Sequence, residues 1–380
     1  MVQAWQQLGL AIEWNRAEST LQIVGCGGKL PQSQGDIFVA NSGTTIRFLT
    51  AALAACRGEF TFDGVPRMRE RPIEDLLIGL HQLGADVQSL NIEKPNCPPV
   101  RLLASGLQGG IAKIAGNVSS QFLSGLMMAA PYAKSTVELV VEGELVSKPY
   151  VDMTAAVMRS FGCAIEQTSN DHYKINAPRN YLGCDYAIEP DASAASYFFA
   201  AAAITGGRAR VEGLTRGALQ GDIGFVEVLK KMGSKVDYGP DWIEVSGYAH
   251  TGIDIDMNSV SDTVQTLSAV ALFANGPTRI RGVAHNRHKE TDRIGDLATE
   301  LRKLGAVVEE FEDGMQISPA PLRPATLETY HDHRMAMSLS LVGLRQSGVW
   351  ILNPRCTEKT YPNYFEDIGK FVGQTVTYPR

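Results

Sequence analysis

The sequence predicts an α/β protein built as two lobes, and three observations support this fold class. The chain has 380 residues, which is too long for one ordinary hydrophobic core and fits two domains. Its composition, 44% hydrophobic and 20% charged, is typical of globular proteins. One pattern recurs along the chain, in which a helical segment ends in a hydrophobic residue and glycine before a short strand-like run. Self-similarity at a fixed period indicates a repeated supersecondary unit.

The repeated unit spans about 70 residues, and its glycine is expected to end a helix. A glycine in the left-handed conformation is a common helix C-cap. The shared glycines are Gly9, Gly84, Gly162, Gly233, Gly305 and Gly369. We expect three units in each lobe, over residues 1–189 and 190–380, with the boundary near Pro190. Because Gly9 lies so close to Met1, the first unit is expected to be truncated.

Five segments predict apolar helices that begin at a polar capping residue. Each cap contributes about 1 kcal/mol, and capping alone would explain any single segment. Helices at equivalent positions of a repeat should also point their N-termini the same way, and those positive dipole ends attract anions. The segments are "NSGTTIRFL", "NVSSQFLSGLMMAAP", "EPDASAASYFFAAAAI", "SVSDTVQTLSAVALFA" and "HDHRMAMSLSLVGL".

Charge, hydropathy and cysteine usage disfavour several protein classes. A net charge of −6 argues against general nucleic-acid binding, which depends on a basic face. No run approaches the roughly 18 apolar residues of a membrane helix, and no secretory leader is visible, so a cytoplasmic protein is expected. The six cysteines form no C-x-x-C pair, which predicts buried reduced thiols.

A metal site is also not expected. His331 and His333, with His285 and His288 as further candidates, have neither an H-E-x-x-H arrangement nor a cysteine partner. The sequence therefore predicts no metal site.

Several polar residues are candidates for anion binding. Ser119, Ser120 and Gln121 place two hydroxyls and an amide at a predicted helix start, which suits a phosphate group. Arg47 lies in the first turns of another helix, where it is either a solvated charge or part of an anion site.

Charged stretches allow the same two interpretations. Arg67, Arg69 and Arg71 surround Glu70 in a run that is either solvated or able to hold phosphate or carboxylate in guanidinium forks. The densest polar stretch contains Lys289, Glu290, Asp292 and Arg293. These residues either form salt bridges that cap the following helix, or they include a carboxylate whose pKa is tuned by nearby cations for acid–base chemistry. Lys359 lies in a turn bounded by prolines.

Eight ordered motifs closely resemble those of the 3-phosphoshikimate 1-carboxyvinyltransferases, or EPSP synthases. They cover essentially the whole chain: "NSGTTIRFLTAAL", "DGVPRMRERPIEDL", "SSQFLSGLMMAAPYA", "SKPYVDMT", "DASAASYFFAAAAI", "HKETDR", "DHRMAMSLSL" and "CTEKTYPNYF". The resemblance implies the two-lobed enolpyruvyl transferase fold, with three βαβαββ-type repeats per lobe, helices packed inside a surrounding sheet, and lobes that close on substrate.

The resemblance also implies an activity of the shikimate pathway, which leads to chorismate and the aromatic amino acids. The enolpyruvyl group of phosphoenolpyruvate would pass to the 5-hydroxyl of shikimate 3-phosphate by addition and elimination, without a metal, a cofactor or a covalent enzyme adduct. Asp262 would orient or deprotonate the hydroxyl, and Glu290 would move a proton on and off the methylene carbon. Lys359 would stabilise charge on the phosphate and carboxylate of the donor.

Carried over motif by motif, the binding residues fall into two sets. Those for shikimate 3-phosphate are Ser119, Ser120, Gln121, Ser147, Tyr150, Asp262 and Lys289; those for phosphoenolpyruvate are Gly43, Arg67, Gln121, Arg293, Arg334 and Lys359. In this reading Arg47 is an orienting or structural charge, while Gly43 and the helix start carry the anion site.

Two departures from the family pattern leave alternatives open. The stretch "HNRHK" differs from the family's sequence before Lys289, and the family's N-terminal motif of the type "G-S-K-S-x-S-N-R" does not occur. One alternative is therefore a catalytically silent fragment or one half of a split enzyme, complemented by an N-terminal chain and showing no transfer alone. A second is a UDP-N-acetylglucosamine 1-carboxyvinyltransferase, which a nucleophilic cysteine in the loop after Arg67 would favour; no cysteine lies between Cys56 and Cys97. Otherwise we expect a monomer whose partners are its two small-molecule substrates.

Overall fold

The computed structural model describes residues 1–373. Its contacts divide the chain into two compact units, Met1–Ala187 (unit 1) and a second that begins at Ile188 (unit 2). The boundary expected from the sequence, between residues 189 and 190, lies beside this division. No helix among the described residues has the length and apolar character to cross a membrane.

Unit 1 contains five α-helices and ten strands. In chain order they are α1 (Val2–Gln7), β1 (Ile12–Asn15), β2 (Thr20–Ile23), β3 (Gln34–Phe38), α2 (Gly43–Ala54), β4 (Arg57–Asp63), α3 (Glu74–Gln82), β5 (Asp86–Ser89), β6 (Val100–Ser105), β7 (Gly110–Ala115), α4 (Ser120–Ala129), β8 (Val137–Glu142), α5 (Lys148–Ser160), β9 (Glu166–Ser169) and β10 (His172–Ile175). Short 3₁₀ turns span Met68–Glu70 and Ala130–Tyr132.

The described part of unit 2 contains six α-helices and nine strands. They are α6 (Ala192–Thr205), β11 (Arg208–Glu212), α7 (Phe225–Lys231), β12 (Lys235–Tyr238), β13 (Trp242–Ser246), β14 (Asp254–Asp256), α8 (Val264–Ala271), β15 (Thr278–Arg281), α9 (Gly295–Lys303), β16 (Val307–Phe311), β17 (Gly314–Ser318), β18 (Ala325–Leu327), α10 (His333–Ser340), β19 (Val349–Ile351) and α11 (Tyr364–Val372). The 3₁₀ segments are Gly221–Gly224, Asn258–Thr263, Ala284–His288, Leu341–Leu344 and Pro354–Lys359.

The repeat predicted from the sequence is visible in the sheets. Three four-stranded sheets have the orders β3-β4-β6-β5, β7-β8-β10-β9 and β14-β15-β17-β16. In each, the first two strands are parallel and the remaining pairs antiparallel. With their helices, these three repeats have the element order β-α-β-α-β-β, as the resemblance implies. The first repeat holds only α1 and the β1–β2 hairpin.

The recurring glycine ends α1 in the first repeat and the second helix in four further repeats. Gly9, Gly84, Gly162, Gly233 and Gly305 all have positive φ, between 82° and 113°. The prediction for Gly369 is wrong, because α11 continues through this buried residue and ends at Gly373, with φ of 67°. The phrase "FVG" repeats the pattern of "DIG" one helical turn later, and the apolar spacing keeps the chain helical.

In each of the five repeats that contain two helices, the first helix is the more deeply buried. In α6, the residues from Ala200 to Ala203 are at most 1% exposed, since a helix surrounded by protein needs small or apolar residues on every face. The second helices carry one apolar stripe; in α9 it consists of Leu297, Leu301 and the adjoining Leu304. Unit 1 and unit 2 each have their own hydrophobic core.

The cysteines agree only partly with the expectation of buried thiols. All six are unpaired. Cys56, Cys97 and Cys163 are buried, but Cys184 is exposed, because it lies in the extended segment that follows β10 and precedes the unit boundary.

Candidate active site

Four of the five predicted caps are formed at the start of buried helices. The side chain of Ser42 accepts a hydrogen bond from the N–H of Thr45 at α2, and Ser119 accepts one from Gln121 at α4. The other two caps are Asp191 at α6 and Asp332 at α10. Each satisfies an N–H group that has no partner within its helix.

The fifth cap, expected at "SVSDTV", is absent. Here the chain forms the 3₁₀ segment Asn258–Thr263, interrupted at Val260 with φ of −131°, and Thr263 precedes α8 without a side-chain cap. The carboxylate of Asp262 instead accepts hydrogen bonds from two arginines. A residue that looks like a helix cap in the sequence is therefore part of a charged cluster.

Arg293 is the centre of this cluster in unit 2. Its side chain is 2% exposed and donates to three carboxylates. The distances are 3.2 Å to Asp262, 3.0 Å to Glu290, and 2.7 and 3.2 Å to the two oxygens of Asp332. Burial disfavours the charged form of Arg293, but the three carboxylates outweigh it and raise the pKa of its guanidinium.

Asp262 joins Arg293 to a second arginine. Nη2 of Arg334 donates to Asp262 at 2.8 Å and to the hydroxyl of Ser193 at 3.4 Å. Burial would raise the pKa of Asp262, yet the charges of Arg334, Lys289 and Arg293 hold that pKa well below its usual value. The group is therefore a carboxylate at neutral pH, suited to accept a hydrogen bond from a hydroxyl.

Glu290 links the cluster to Lys359. Its two oxygens accept from Arg293 at 3.0 Å and from Nζ of Lys359 at 2.5 Å. Lys359 is the last residue of the 3₁₀ segment Pro354–Lys359, and its side chain is 30% exposed. A carboxylate between two cations, one of them reachable from solvent, has the chemistry of a proton-transfer group beside an anion site.

Two residues of this cluster are not among those that the motifs assign to the site. Asp332 is fully buried, holds Arg293, and also caps α10 by accepting from the N–H of Arg334 at 2.8 Å. Its capping position was visible in "HDHRMAM", but its ion pair spans 39 residues of sequence. Ser193, second in α6, donates to Asp222 at 2.5 Å and accepts from Arg334.

In unit 1, Arg47 is 4% exposed and organises the candidate phosphate site. Its Nη1 donates to the hydroxyl of Ser119 at 3.2 Å and to Oε1 of Gln121 at 2.8 Å, and its guanidinium lies 4.9 Å from the ring centre of Phe122. The interpretation as a solvated charge is wrong, because α2 and α4 pack together and enclose the side chain. Ser120, first residue of α4, is also buried.

Gly43 begins α2 beside a second buried arginine. A Cβ atom at this position would lie 2.6 Å from Nη2 of Arg71, so no other residue fits without moving the guanidinium. Arg71 donates to the backbone oxygen of Asn41 at 3.0 Å. The sequence placed Arg71 only within a charged run, and its position against the α2 N-terminus depends on the fold.

The other predicted residues of unit 1 lie on neighbouring elements. Arg67 precedes the 3₁₀ turn Met68–Glu70 and donates to Glu70 at 3.1 Å. Ser147 is buried, with left-handed backbone, immediately before α5, and Tyr150 lies in the first turn of that helix.

The histidines do not form a metal centre. Within residues 1–373, no group of three or more His, Cys, Asp or Glu side chains is arranged to hold a metal ion. His285 and His333 are each 4% exposed, and burial is the main cause that lowers the pKa of each imidazole to about 3. His331 instead pairs with Asn353.

Comparisons with known proteins agree with the family that the motifs indicate. The family model for "EPSP synthase (3-phosphoshikimate 1-carboxyvinyltransferase)" matches residues 1–368. A protein named 3-phosphoshikimate 1-carboxyvinyltransferase from Trichormus variabilis is 48% identical over 371 residues, covering 97% of this chain and 86% of the relative. One of the same name from Marinomonas sp. is 46% identical over 368 residues, covering 96% and 86%.

Solved structures agree as well. An EPSP synthase from Acinetobacter baumannii superimposes with a TM-score of 0.79 at 25% identity, over 100% of this chain and 88% of that one. The fold class predicted from the sequence is thus confirmed. The comparisons lend no support to a silent fragment or to a complementing chain. Sequence, fold and relatives agree that the chain belongs to the EPSP synthase family.

Proposed function

We propose that this chain transfers the enolpyruvyl group of phosphoenolpyruvate to the 5-hydroxyl of shikimate 3-phosphate, giving EPSP and inorganic phosphate. The observation that carries the proposal is the cluster in unit 2. Five charged residues that the motifs assign to this chemistry meet there in one hydrogen-bonded network: Asp262, Glu290, Arg293, Arg334 and Lys359.

The cations of this cluster suit a small, highly charged donor. Phosphoenolpyruvate carries a carboxylate and a phosphate, and guanidinium groups bind both in bidentate fashion. Arg334 and Lys359 are 13% and 30% exposed and are paired with Asp262 and Glu290, so an arriving anion would compete with these carboxylates. We assign to the donor the residues that the motifs give for it, which are Arg293, Arg334, Lys359, Gly43, Arg67 and Gln121.

For the acceptor we propose hydroxyl, amide and charged contacts. Ser119, Ser120 and Gln121 lie at the N-terminus of α4, where backbone N–H groups and the helix dipole favour a phosphate. Arg47 adds a positive charge and orients two of the three side chains. Ser147 and Tyr150 of unit 1, and Asp262 and Lys289 of unit 2, complete the assignment from the motifs.

The chemistry needs one proton acceptor and one group that both gives and takes a proton. The 5-hydroxyl oxygen attacks C2 of phosphoenolpyruvate and gives its proton to Asp262, while C3 gains a proton from Glu290. Phosphate then leaves C2 with the electron pair of the C2–O bond and takes up the proton from Asp262, and C3 returns its proton to Glu290, which restores the double bond. We assign Glu290 to the protons at C3 and Lys359 to the charge that develops on the donor. The lowered pKa of Asp262 supports a role in orienting the hydroxyl as a hydrogen-bond acceptor.

Turnover by the purified chain tests this proposal. Phosphate release must require both substrates, and the product must have the mass of EPSP. Lys359→Met should lower kcat/KM at least about tenfold, the equivalent of 1.4 kcal/mol. Lys370→Met, which removes a 74% exposed lysine of α11 paired with Asp367, is the matched control. Absence of transfer by the chain, or equal activity of the two variants, would contradict the proposal.

The cytoplasmic location and the monomeric state remain predictions from the sequence.

A further inference from the structure

Three residues in the described part of unit 2 that are not glycine have left-handed backbone. Their φ angles are 52° at Tyr330, 56° at His331 and 47° at Asn353. L-residues seldom adopt this conformation, and when they do it is usually as single residues. Tyr330 and His331 are consecutive. Such conformations persist where surrounding contacts hold them, and they concentrate at functional sites.

The two loops that contain these residues leave the same edge of a parallel pair. Strands β18 and β19 are parallel with Leu327 opposite Ile351, and the N–H of Leu352 donates to the backbone oxygen of Leu327 at 2.9 Å. Because parallel strands end on the same side of a sheet, residues 328–332 and 352–353 begin as neighbours.

A hydrogen bond joins the loops at their left-handed residues. Nδ2 of Asn353 donates to Nδ1 of His331 at 2.8 Å. The first loop is held from its other side by Glu300 of α9, which is fully buried. The hydroxyl of Tyr330 donates to Glu300 at 2.7 Å, and the N–H of Glu328 donates to it at 2.9 Å.

Each loop leads directly to residues assigned to the donor. After His331 the chain passes to Asp332, which holds Arg293, and then to Arg334. After Asn353 it forms the 3₁₀ segment that ends at Lys359. Asp332 and Lys359 are in turn joined through Arg293 and Glu290. The pair of His331 and Asn353 therefore closes a ring of contacts around the charged cluster.

We propose that His331 and Asn353 are a pair of positioning residues that fix Lys359 relative to Glu290 and Arg334. Neither touches the reacting atoms; they act through the two segments they join. The inference rests on the proposed function for its kinetic consequence, because Lys359 and Arg334 are both assigned to phosphoenolpyruvate.

The test replaces each partner by glycine, which adopts the left-handed conformation without strain. His331→Gly and Asn353→Gly thus remove the hydrogen bond and leave the backbone angles accessible. We expect KM for phosphoenolpyruvate to rise about tenfold in either variant, while KM for shikimate 3-phosphate stays unchanged. The double variant should be no worse than either single variant, as required of two residues that act as a unit.

Two further variants separate this role from general destabilisation. Asn353→Asp should restore KM, because aspartate tolerates the left-handed region and its carboxylate can accept from Nδ1–H of His331. Ser19→Gly is the matched control, since Ser19 has φ of 52° in the exposed β1–β2 turn of unit 1. It should leave both KM values unchanged.

A measurement independent of turnover completes the experiment. Acetylation by acetic anhydride, followed for each lysine by peptide mass spectrometry, should be several-fold faster at Lys359 in the two glycine variants and unchanged at Lys370. Unchanged acetylation of Lys359, an unchanged KM for phosphoenolpyruvate in an active enzyme, or additive single effects would overturn the inference. Faster acetylation with no turnover by the parent chain would contradict the proposed function and support the positioning pair.

Discussion

Arg293 and Asp332 form a buried two-point ion pair that joins the last two repeats of unit 2. The guanidinium precedes α9 and the carboxylate caps α10, with Nε to Oδ2 at 2.7 Å and Nη2 to Oδ1 at 3.2 Å. Removing one member of such a pair leaves a buried charge incompletely compensated, which is far more costly than losing a surface pair. The candidate active site and the stability of unit 2 therefore depend on the same contact.

Asp332→Asn should lower the free energy of unfolding by about 3 kcal/mol. Asparagine keeps the shape and the capping ability of the side chain, so the loss reports on the charge. Urea unfolding measures it. Asp254→Asn removes the partner of Arg281 at a site where the aspartate side chain is 62% exposed, and it should leave the midpoint nearly unchanged. Similar midpoints for the two variants would show that the buried pair is not stabilising.

Arg47→Met should weaken the binding of shikimate 3-phosphate by about tenfold or more, since a charge-assisted hydrogen bond contributes about 1.5–3 kcal/mol. Methionine fills much of the same buried space but leaves Ser119 and Gln121 without their donor. Titration calorimetry gives the affinity. Arg101→Met, which removes a 41% exposed arginine paired with Glu59, is the control. The role assigned to Arg47 is untenable if both variants bind equally well.

Replacing both Ser119 and Ser120 by alanine should weaken shikimate 3-phosphate binding much more than shikimate binding. The two hydroxyls lie at the N-terminus of α4, where backbone N–H groups and the helix dipole stabilise a bound phosphate. Ser124→Ala is the control, because this buried serine of the same helix bonds to Thr154 at 2.9 Å. Equal losses for the two ligands would place the phosphate elsewhere.

Stability should fall as the pH decreases below about 6.5, because His285 and His333 are buried as neutral groups. The pKa of each is lowered from 6.5 to about 3, so between these values the unfolded chain binds more protons than the folded one. Each histidine then removes about 2 kcal/mol of stability between pH 6.5 and pH 5.

Urea unfolding of the parent chain and of His333→Phe, at pH 7 and at pH 5, checks this prediction. The difference between the two pH values should shrink by about 2 kcal/mol in the variant. The comparison uses the pH dependence alone, so any change in packing caused by phenylalanine cancels. An equal pH dependence in both proteins would mean that His333 is not buried as a neutral group.

The sequence by itself determined the features that depend on short stretches of chain. The repeated glycine predicted a supersecondary unit of about 70 residues, and it predicted a left-handed helix end correctly at five of six positions. Four helix caps were predicted from single polar residues, because a cap is a bond between a side chain and a backbone group two or three residues away. The eight motifs named the family.

Tertiary structure decided how the charged residues are used. The sequence around Arg47 allows a surface charge, but α4 encloses this side chain in the folded protein. The sequence around Asp262 is that of a helix cap, but its carboxylate accepts hydrogen bonds from Arg293 and Arg334. Asp332 and Arg293 are 39 residues apart in sequence. Burial and long-range ion pairs depend on which elements pack together, and no local pattern of residues contains that information, whereas periodicity and capping are complete within a few turns of chain.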